Sequence, residues 1–540
     1  MGPLPPQGAH AFARGVPHMP TPEGIWADAD LPTRRLAGLA LNPSTPVDAL
    51  HRLLADAPPA VRMVLCRDRV LPDTVVDAVI AHPDARTRSF FARNLHVDPR
   101  QRARLLKDPD WLVRAHLAEG PRPTGPAGLE PLPDDAVVHM ITAFEDEHLG
   151  GSFHGQISAG LRRAMPTHPV AKVRLWGTGS WRGLPAETRA ALLADPDDEV
   201  RRRARRFARE DDPAWVESVL PPRSCHGRTD ALLHLALSRT VVESVLSTPA
   251  GPDERAMIAS NAALPPDFVV LLAADPDPEV RREIARRGDL GTAERRALVG
   301  DRDPSVRRTV ARHPDLGPEE RAALAADADP QVRLAVSVHP AWSERERSAI
   351  DYEVRVDGDF VHHRPSPTPR HPSAVRRDAL SAHPMLRREA AREHALPPDL
   401  VARLAADDDL GVRVLLAQNH PDAPADLLLR SYLEYTGRER EHLLTRPGFP
   451  GEGLAVHADD EDPAVRPLAA RDPRTAPQTV ERLTRDPDPG VRAAFARHPR
   501  LPRPRLTQLL DDEELVHHAA ANPALEESTI RRLVTALPPG

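Results

Sequence analysis

At 540 residues the chain has the length of three or four ordinary domains, but 40% apolar and only 4% aromatic content restricts any core to Ala, Leu and Val. Two cysteines, Cys66 and Cys225, exclude a disulfide framework and any four-cysteine metal or iron–sulfur site within one chain. A net charge of −7, with both signs interspersed, gives no global footprint for nucleic acid, and no apolar run approaches the roughly 18–20 residues of a membrane span, so a soluble cytoplasmic protein is expected.

Residues 1–24 are rich in Pro and Gly, lack the apolar core of a signal peptide and read as a disordered tail. From residue 25 onward the chain repeats itself. Val280, Val306 and Val332 lie 26 residues apart, as do Val61, Thr87 and Val113, Leu386 and Val412, and Val465 and Val491. Four and five residues after each anchor come small or apolar pairs such as Ile284 and Ala285 or Phe495 and Ala496, one face of a short helix. A stop follows, often His-Pro or Asn-Pro: Asn42, His313, His339, His498 and Asn522 each precede a proline, which disfavours helix at the residue before it. Segments such as "LPPDFVVLLAAD" then open a second short helix. Two helices of two or three turns are too short to stand alone, so stacking is obligatory. The expected fold is all-α, a right-handed α-solenoid of about 17–19 repeats of 26 residues.

The stretch "DPDPEVRR" recurs as a cap and a rung. Its inner Asp, followed by Pro278, Pro304, Pro330 or Pro489, has the signature of an N-cap with proline at the first helical position. Its outer Asp stands six residues before an Arg, as in Asp275/Arg281, Asp301/Arg307, Asp327/Arg333 and Asp486/Arg492, a spacing suited to pairing with the next repeat along the stack. This pattern resembles HEAT repeats, and phrases such as "LAADPDPEVRREIARRGDL" resemble still more the bacterial leucine-rich-repeat variant proteins. The resemblance covers most of residues 25–540 and implies an α-helix and a 3₁₀-helix per repeat in a superhelix. Some members of that family carry a cysteine cluster for an iron–sulfur centre; nothing here matches it, so no cofactor is expected.

The repeats divide as 25–120, 166–343 and 373–540, and two stretches interrupt them. Residues 121–165 are Gly- and Pro-rich and read as an irregular insertion, followed by "LWGTGSWRG", where Gly177 replaces a core residue. Residues 344–372 hold "YEVRVDGDFVHH", whose Asp357-Gly358 is a strong β-hairpin signal, and a Pro-rich connector. Trp111, Trp176, Trp181 and Phe360 are the candidate partner-binding residues, because aromatic anchors dominate interfaces; tryptophans covering a defect in the stack are the competing explanation.

Recurrent histidines read as helix-terminal polar residues before proline rather than metal ligands; His362, His363 and His371 cluster but lack ligand spacing. Cys66 fills a small core slot, and Cys225-His226 does not by adjacency make a catalytic pair. No phosphate-binding loop, nucleophile elbow or metalloprotease motif is present, so no enzyme activity is expected. The reading is a non-enzymatic scaffold that binds another protein through a curved solenoid surface. The alternative is a nucleic-acid or other polyanion-binding superhelix that uses arginines outside the ladder, such as Arg282 and Arg308.

Overall fold

In the repeat that begins at Asp275, the Asp277 carboxylate accepts the Glu279 amide hydrogen at 2.8 Å and Pro278 opens the helix Pro278–Ala285. Val280, Ile284 and Ala285 turn inward and are buried, as is Leu298 on the following helix Thr292–Val299. The same cap recurs at Asp303, Asp329 and Asp488, each accepting from the first turn of its own helix. An Asp cap of this kind contributes on the order of 1 kcal/mol. The computed structural model describes residues 29–122, 129–144, 149–247, 252–354, 370–437 and 439–537, and among them it is all-helical, with no strand. The expected tail and nearly all of the expected hairpin, Phe360 included, lie outside the described residues; residues 351–354 are described and form no strand.

Side chains tie each repeat to the next by two rows of hydrogen bonds. In the first row an Arg reaches the outer Asp of the following repeat. Arg281 Nε and Nη2 donate to Asp301 at 2.7 and 2.8 Å, and Arg307 donates to Asp327 at 2.7 and 2.9 Å. Arg255–Asp275, Arg387–Asp407 and Arg466–Asp486 repeat the pair. In Arg281, Arg307, Arg387 and Arg466 the third nitrogen turns back: Arg281 Nη1 donates to the carbonyls of Asp275 and Pro276 at 2.7 and 3.1 Å. The Asp does likewise, Asp301 Oδ1 accepting the Asp303 amide at 2.8 Å.

The second row uses the residue before the proline. His339 Nδ1 accepts the Ala341 amide at 3.2 Å while its Nε2 meets the Pro314 carbonyl of the preceding repeat at 3.2 Å. His498 does the same between Arg500 and Asp472. Asn94, Asn261 and Asn522 substitute for histidine, each Oδ1 accepting locally and each Nδ2 donating to two carbonyls one repeat back. Asn and neutral His share the needed polarity, an acceptor on one side and a donor on the other.

The helices gather into two bodies, one from the residues up to Gly179 together with Pro450 onward, the other from Ser180 to Phe449. The central body is cored by residues such as Val242, Ile258, Phe268, Val280 and Ile284. In the terminal body a single core runs from Leu36 to Val173 and from Ala458 to Leu537. The described part of 121–165 belongs to that core: the helix Asp134–Ala143 buries Val137 and Met140, and Phe153 is fully buried. Gly177 sits where a Cβ would lie 2.6 Å from Pro166 N, so backbone contact with Met165 and Pro166 replaces the side chain expected there.

The first and last described repeats meet inside the terminal body. The helix Leu31–Leu41 packs against Val516–Ala520. Asn42 Nδ2 donates to the carbonyls of Ala520 and Asn522 at 2.8 and 2.7 Å, which continues the asparagine row from the last repeat into the first. Arg35 donates to Leu510 O at 2.9 Å and to Asp511 at 2.7 Å, and Ser44 Oγ donates to Pro523 O at 2.8 Å. The C-terminal repeat therefore occupies the place of a repeat that would precede residue 31.

Gly38 makes this joint close, since a Cβ there would lie 2.3 Å from His517 O and 2.6 Å from the Ala520 Cβ. Gly38→Leu is expected to cost about 1–3 kcal/mol through overpacking, and to raise hydrogen exchange over 31–41 and 516–520 together. Unchanged exchange in both helices would show that they do not touch.

Acid should weaken the second row before the first. Burial holds His313, His339, His420 and His498 below the ordinary value of 6.5, so as pH falls past 6.5 the unfolded chain takes protons that the folded chain refuses, and stability drops. Burial alone would raise the Asp301 carboxyl, but Arg281 and the Asp303 amide outweigh it and hold it below 3.8, so its contribution is lost only in stronger acid. His498→Asn, which copies Asn522, is expected to keep the midpoint of thermal unfolding at pH 7.5 and to shrink its fall between pH 6.5 and 5. A variant with the full wild-type fall would separate His498 from the acid response.

Candidate functional site

Caps, stops and ladder positions are committed to holding the stack. Of the residues two and six after each anchor, the first varies, with Met63, Ala115, Leu334 and Val414 among its occupants, whereas the second is often arginine, as at Arg67, Arg93, Arg471 and Arg497. Arginine stands at both positions in the repeats anchored at Val200, with Arg202 and Arg206, and at Leu386, with Arg388 and Arg392, and also in two adjoining repeats of the central body. Arg282 and Arg286 stand at both positions of one, and Arg308 and Arg312, each 26 residues further on, at both positions of the next. Ala256 and Ser260 precede this quartet in register, and Leu334 and Val338 follow it.

The quartet lines a groove of about 540 Å³. Leu334, Val338 and Met385 also line it, as does the buried His313, whose Nδ1 accepts the Asp315 amide at 3.2 Å. Arg388, also at the groove, pairs with Asp409 at 2.7 Å, and Arg287 pairs with Asp289 at 2.7 Å. Within the quartet, Arg282 pairs with Glu279 and Arg286 with Glu283, both one turn back on their own helix and partly open to solvent. Exposed pairs of this sort contribute roughly 0–1 kcal/mol and yield readily to a better partner.

Arg308 and Arg312 have no carboxylate partner among the described residues. Two acids thus answer four guanidinium groups. Loss of water within the groove, and then the neighbouring Arg308 and Arg286 cations, hold Arg312 below the ordinary arginine value, although its side chain stays open to solvent. Like charges four residues apart cost a few tenths of a kcal/mol, so this arrangement is unfavourable for the empty groove and favourable for an anion within it.

The aromatic candidates do not converge. Trp111 opens the helix Trp111–Glu119 and is 57% exposed. Trp176 packs edge-on against Phe153, with ring centroids 5.4 Å apart, in the terminal body. Trp181 belongs to the central body, where it is 4% exposed and stacks on Phe207 at 6.4 Å. Trp176 and Trp181 are thus packing residues, and Trp111 alone of the three presents a large apolar surface to solvent. Phe360 lies outside the described residues.

The ladder residues are placed as rungs. Arg281 and Arg307 meet Asp301 and Asp327; Arg333 meets Asp351 at 3.2 Å; Asp275 and Asp486 receive Arg255 and Arg466; and Arg492 pairs with Glu514. Cys66 is fully buried, which pushes its thiol pKa up, and Cys225 is exposed at the start of the helix His226–His234. His371 caps the helix Pro372–Ala379 through Nδ1, while His362 and His363 lie outside the described residues. No group of three His, Cys, Asp or Glu suited to a metal ion occurs among the described residues. No helix among them is long and apolar enough to cross a membrane.

These stacked, ladder-joined units make the chain an all-α helical repeat protein. No family model matches it, and no curated protein matches it. Among solved structures, a leucine-rich repeat variant with a novel repetitive structural motif is similar at 21% identity over 54% of this chain and 88% of that one, with a TM-score of 0.24. An engineered protein is similar at 15% identity over 95% of this chain and 98% of that one, with a TM-score of 0.12. At these scores neither likeness bears on the function of this chain.

Trp181→Ala is expected to cost about 3–5 kcal/mol by opening a buried cavity, and Trp111→Ala to stay within about 0.5 kcal/mol of wild type. Urea unfolding followed by far-ultraviolet dichroism checks both, and equal losses would contradict the packing described for the two rings.

Proposed function

We propose that the chain is a non-enzymatic repeat scaffold that binds another protein. The observation that carries this reading is the division of labour within each repeat: capping, stop and ladder residues recur, while the second residue after the anchor changes from repeat to repeat, as at Ala256, Arg282, Arg308 and Leu334. A frame of this kind presents independent side chains at fixed intervals, which suits recognition of an extended partner. The right-handed, curved stacking expected from the sequence and a cytoplasmic setting belong to the same proposal.

A second reading, binding of nucleic acid or another polyanion, draws on Arg308 and Arg312. Against it, the arginine quartet spans two repeats and is flanked by Ala256, Ser260, Leu334 and Val338, so it forms a patch rather than the long track a nucleic-acid backbone follows. Among the described residues that line the groove, His313 is the one aromatic ring, and single strands bind best on stacking platforms.

Affinity capture of the full chain from native lysate, with and without nuclease, tests the two. The scaffold reading expects a protein recovered reproducibly and unaffected by nuclease. Recovery of nucleic acid, or loss of every captured protein on nuclease treatment, would favour the second reading, and a monomer that recovers neither would overturn both.

A further inference from the structure

We infer that the groove bounded by Arg282, Arg286, Arg308, Arg312, Leu334 and Val338 is a docking site for an acidic, leucine-rich segment of a protein partner. This inference rests on the scaffold reading above and names the chemistry of its recognition site.

Three observations converge on that occupant. The first is charge: four guanidinium groups face two carboxylates, and the second repeat of the pair, with Arg308 and Arg312, supplies none of those carboxylates. A planar guanidinium is built for bidentate contact with a carboxylate. The Glu279 and Glu283 pairs are local to one helix and partly solvated, so an incoming carboxylate can displace them at little cost.

The second is the apolar half. Leu334 and Val338 occupy, in the next repeat, the positions that the arginines hold in the two before it, and Met385 adds a flexible thioether beside them. A simple inorganic anion would leave that half of the groove unused. A segment with carboxylates on one side and leucines on the other fills both.

The third is spacing. Neighbouring stacked helices lie about 8–10 Å apart, and a chain in the polyproline II conformation advances about 3.1 Å per residue with about three residues per turn. Acidic residues three apart in such a segment therefore share a face and step from one arginine row to the next. The volume of about 540 Å³ accommodates a few side chains, which fits a short linear segment seated across three repeats.

The test uses the full chain and a fluorescein-labelled twelve-residue peptide made of four Glu-Leu-Ser units, followed by fluorescence anisotropy at low and physiological salt. Controls are the same peptide with lysine in place of glutamate, the same peptide with serine in place of leucine, and a twelve-nucleotide oligothymidine. Expected are saturable binding of the Glu-Leu-Ser peptide that weakens with salt, at least tenfold weaker binding by the Arg308→Glu/Arg312→Glu variant, and a gain by that variant for the lysine peptide. Both arginines are exposed, so the variant should keep the wild-type dichroism spectrum. Leu334→Ser is expected to weaken the Glu-Leu-Ser peptide while leaving the leucine-free peptide unchanged.

Absence of binding at millimolar peptide, equal binding by the charge-reversed variant, or tighter binding of oligothymidine than of the peptide would each overturn the inference. If the charge-reversed chain still captures its protein partner from lysate, the groove assignment fails while the scaffold reading stands. Loss of capture by wild-type chain would remove the scaffold reading itself.

Discussion

The carboxylate of Asp301 carries two duties through one group. It accepts from Nε and Nη2 of Arg281 in the preceding repeat and, through Oδ1, from the amide of Asp303 in its own turn. Arg281 in return donates to the Asp275 and Pro276 carbonyls that lead into its own helix. Helices of seven or eight residues cannot hold themselves in water, so a rung that braces the turn before each helix and joins it to the next supplies what length does not. Both side chains are nearly buried, at 5% and 8% exposure, and desolvating them is costly. Bidentate geometry and the additional backbone bonds offset that cost. The histidine and asparagine row does parallel work at the other end of the helix.

The repeating part of this architecture is legible because its grammar is local. An Asp before Pro at a helix start, small residues four and five after the anchor, and a proline stop each report a feature within a dozen residues, and each corresponds to a cap, a buried face or a helix end. The donor–acceptor polarity of the stop residue is subtler. Its signal is the interchange of Asn and His at one position, as at Asn522 and His498, since those two side chains share an acceptor on one side and a donor on the other.

Contacts that depend on distant parts of the chain are not legible in that way. Nothing near Asn42 indicates that its amide finds the carbonyls of Ala520 and Asn522. The hint is indirect: the first described repeat already carries a row residue, Asn42, at the position that elsewhere reaches back to a neighbouring repeat. Gly38 is a second hint, a gap left for a neighbouring backbone. The tryptophans show the same dependence on distant neighbours. Interface enrichment singles out Trp176 and Trp181, yet one packs on Phe153 and the other on Phe207, and burial of that kind depends on tertiary neighbours. The arginine quartet is written openly in the 26-residue register, but its significance emerges only when Glu279 and Glu283 are seen to answer half of it.

If the rung is what the stack depends on, Arg281 and Asp301 must be strongly coupled. A double-mutant cycle of Arg281→Ala and Asp301→Ala, read from urea unfolding of the full chain with exchange over residues 275–311 as the local probe, measures that coupling directly. Each single change leaves a nearly buried charge without its partner, and the pair should show a coupling of roughly 1.5 kcal/mol or more, within the range for close, desolvated ion pairs. Additive losses, with a coupling near zero, would mean that the repeats are held by apolar packing alone and that the ladder is a consequence of the stack rather than its cause.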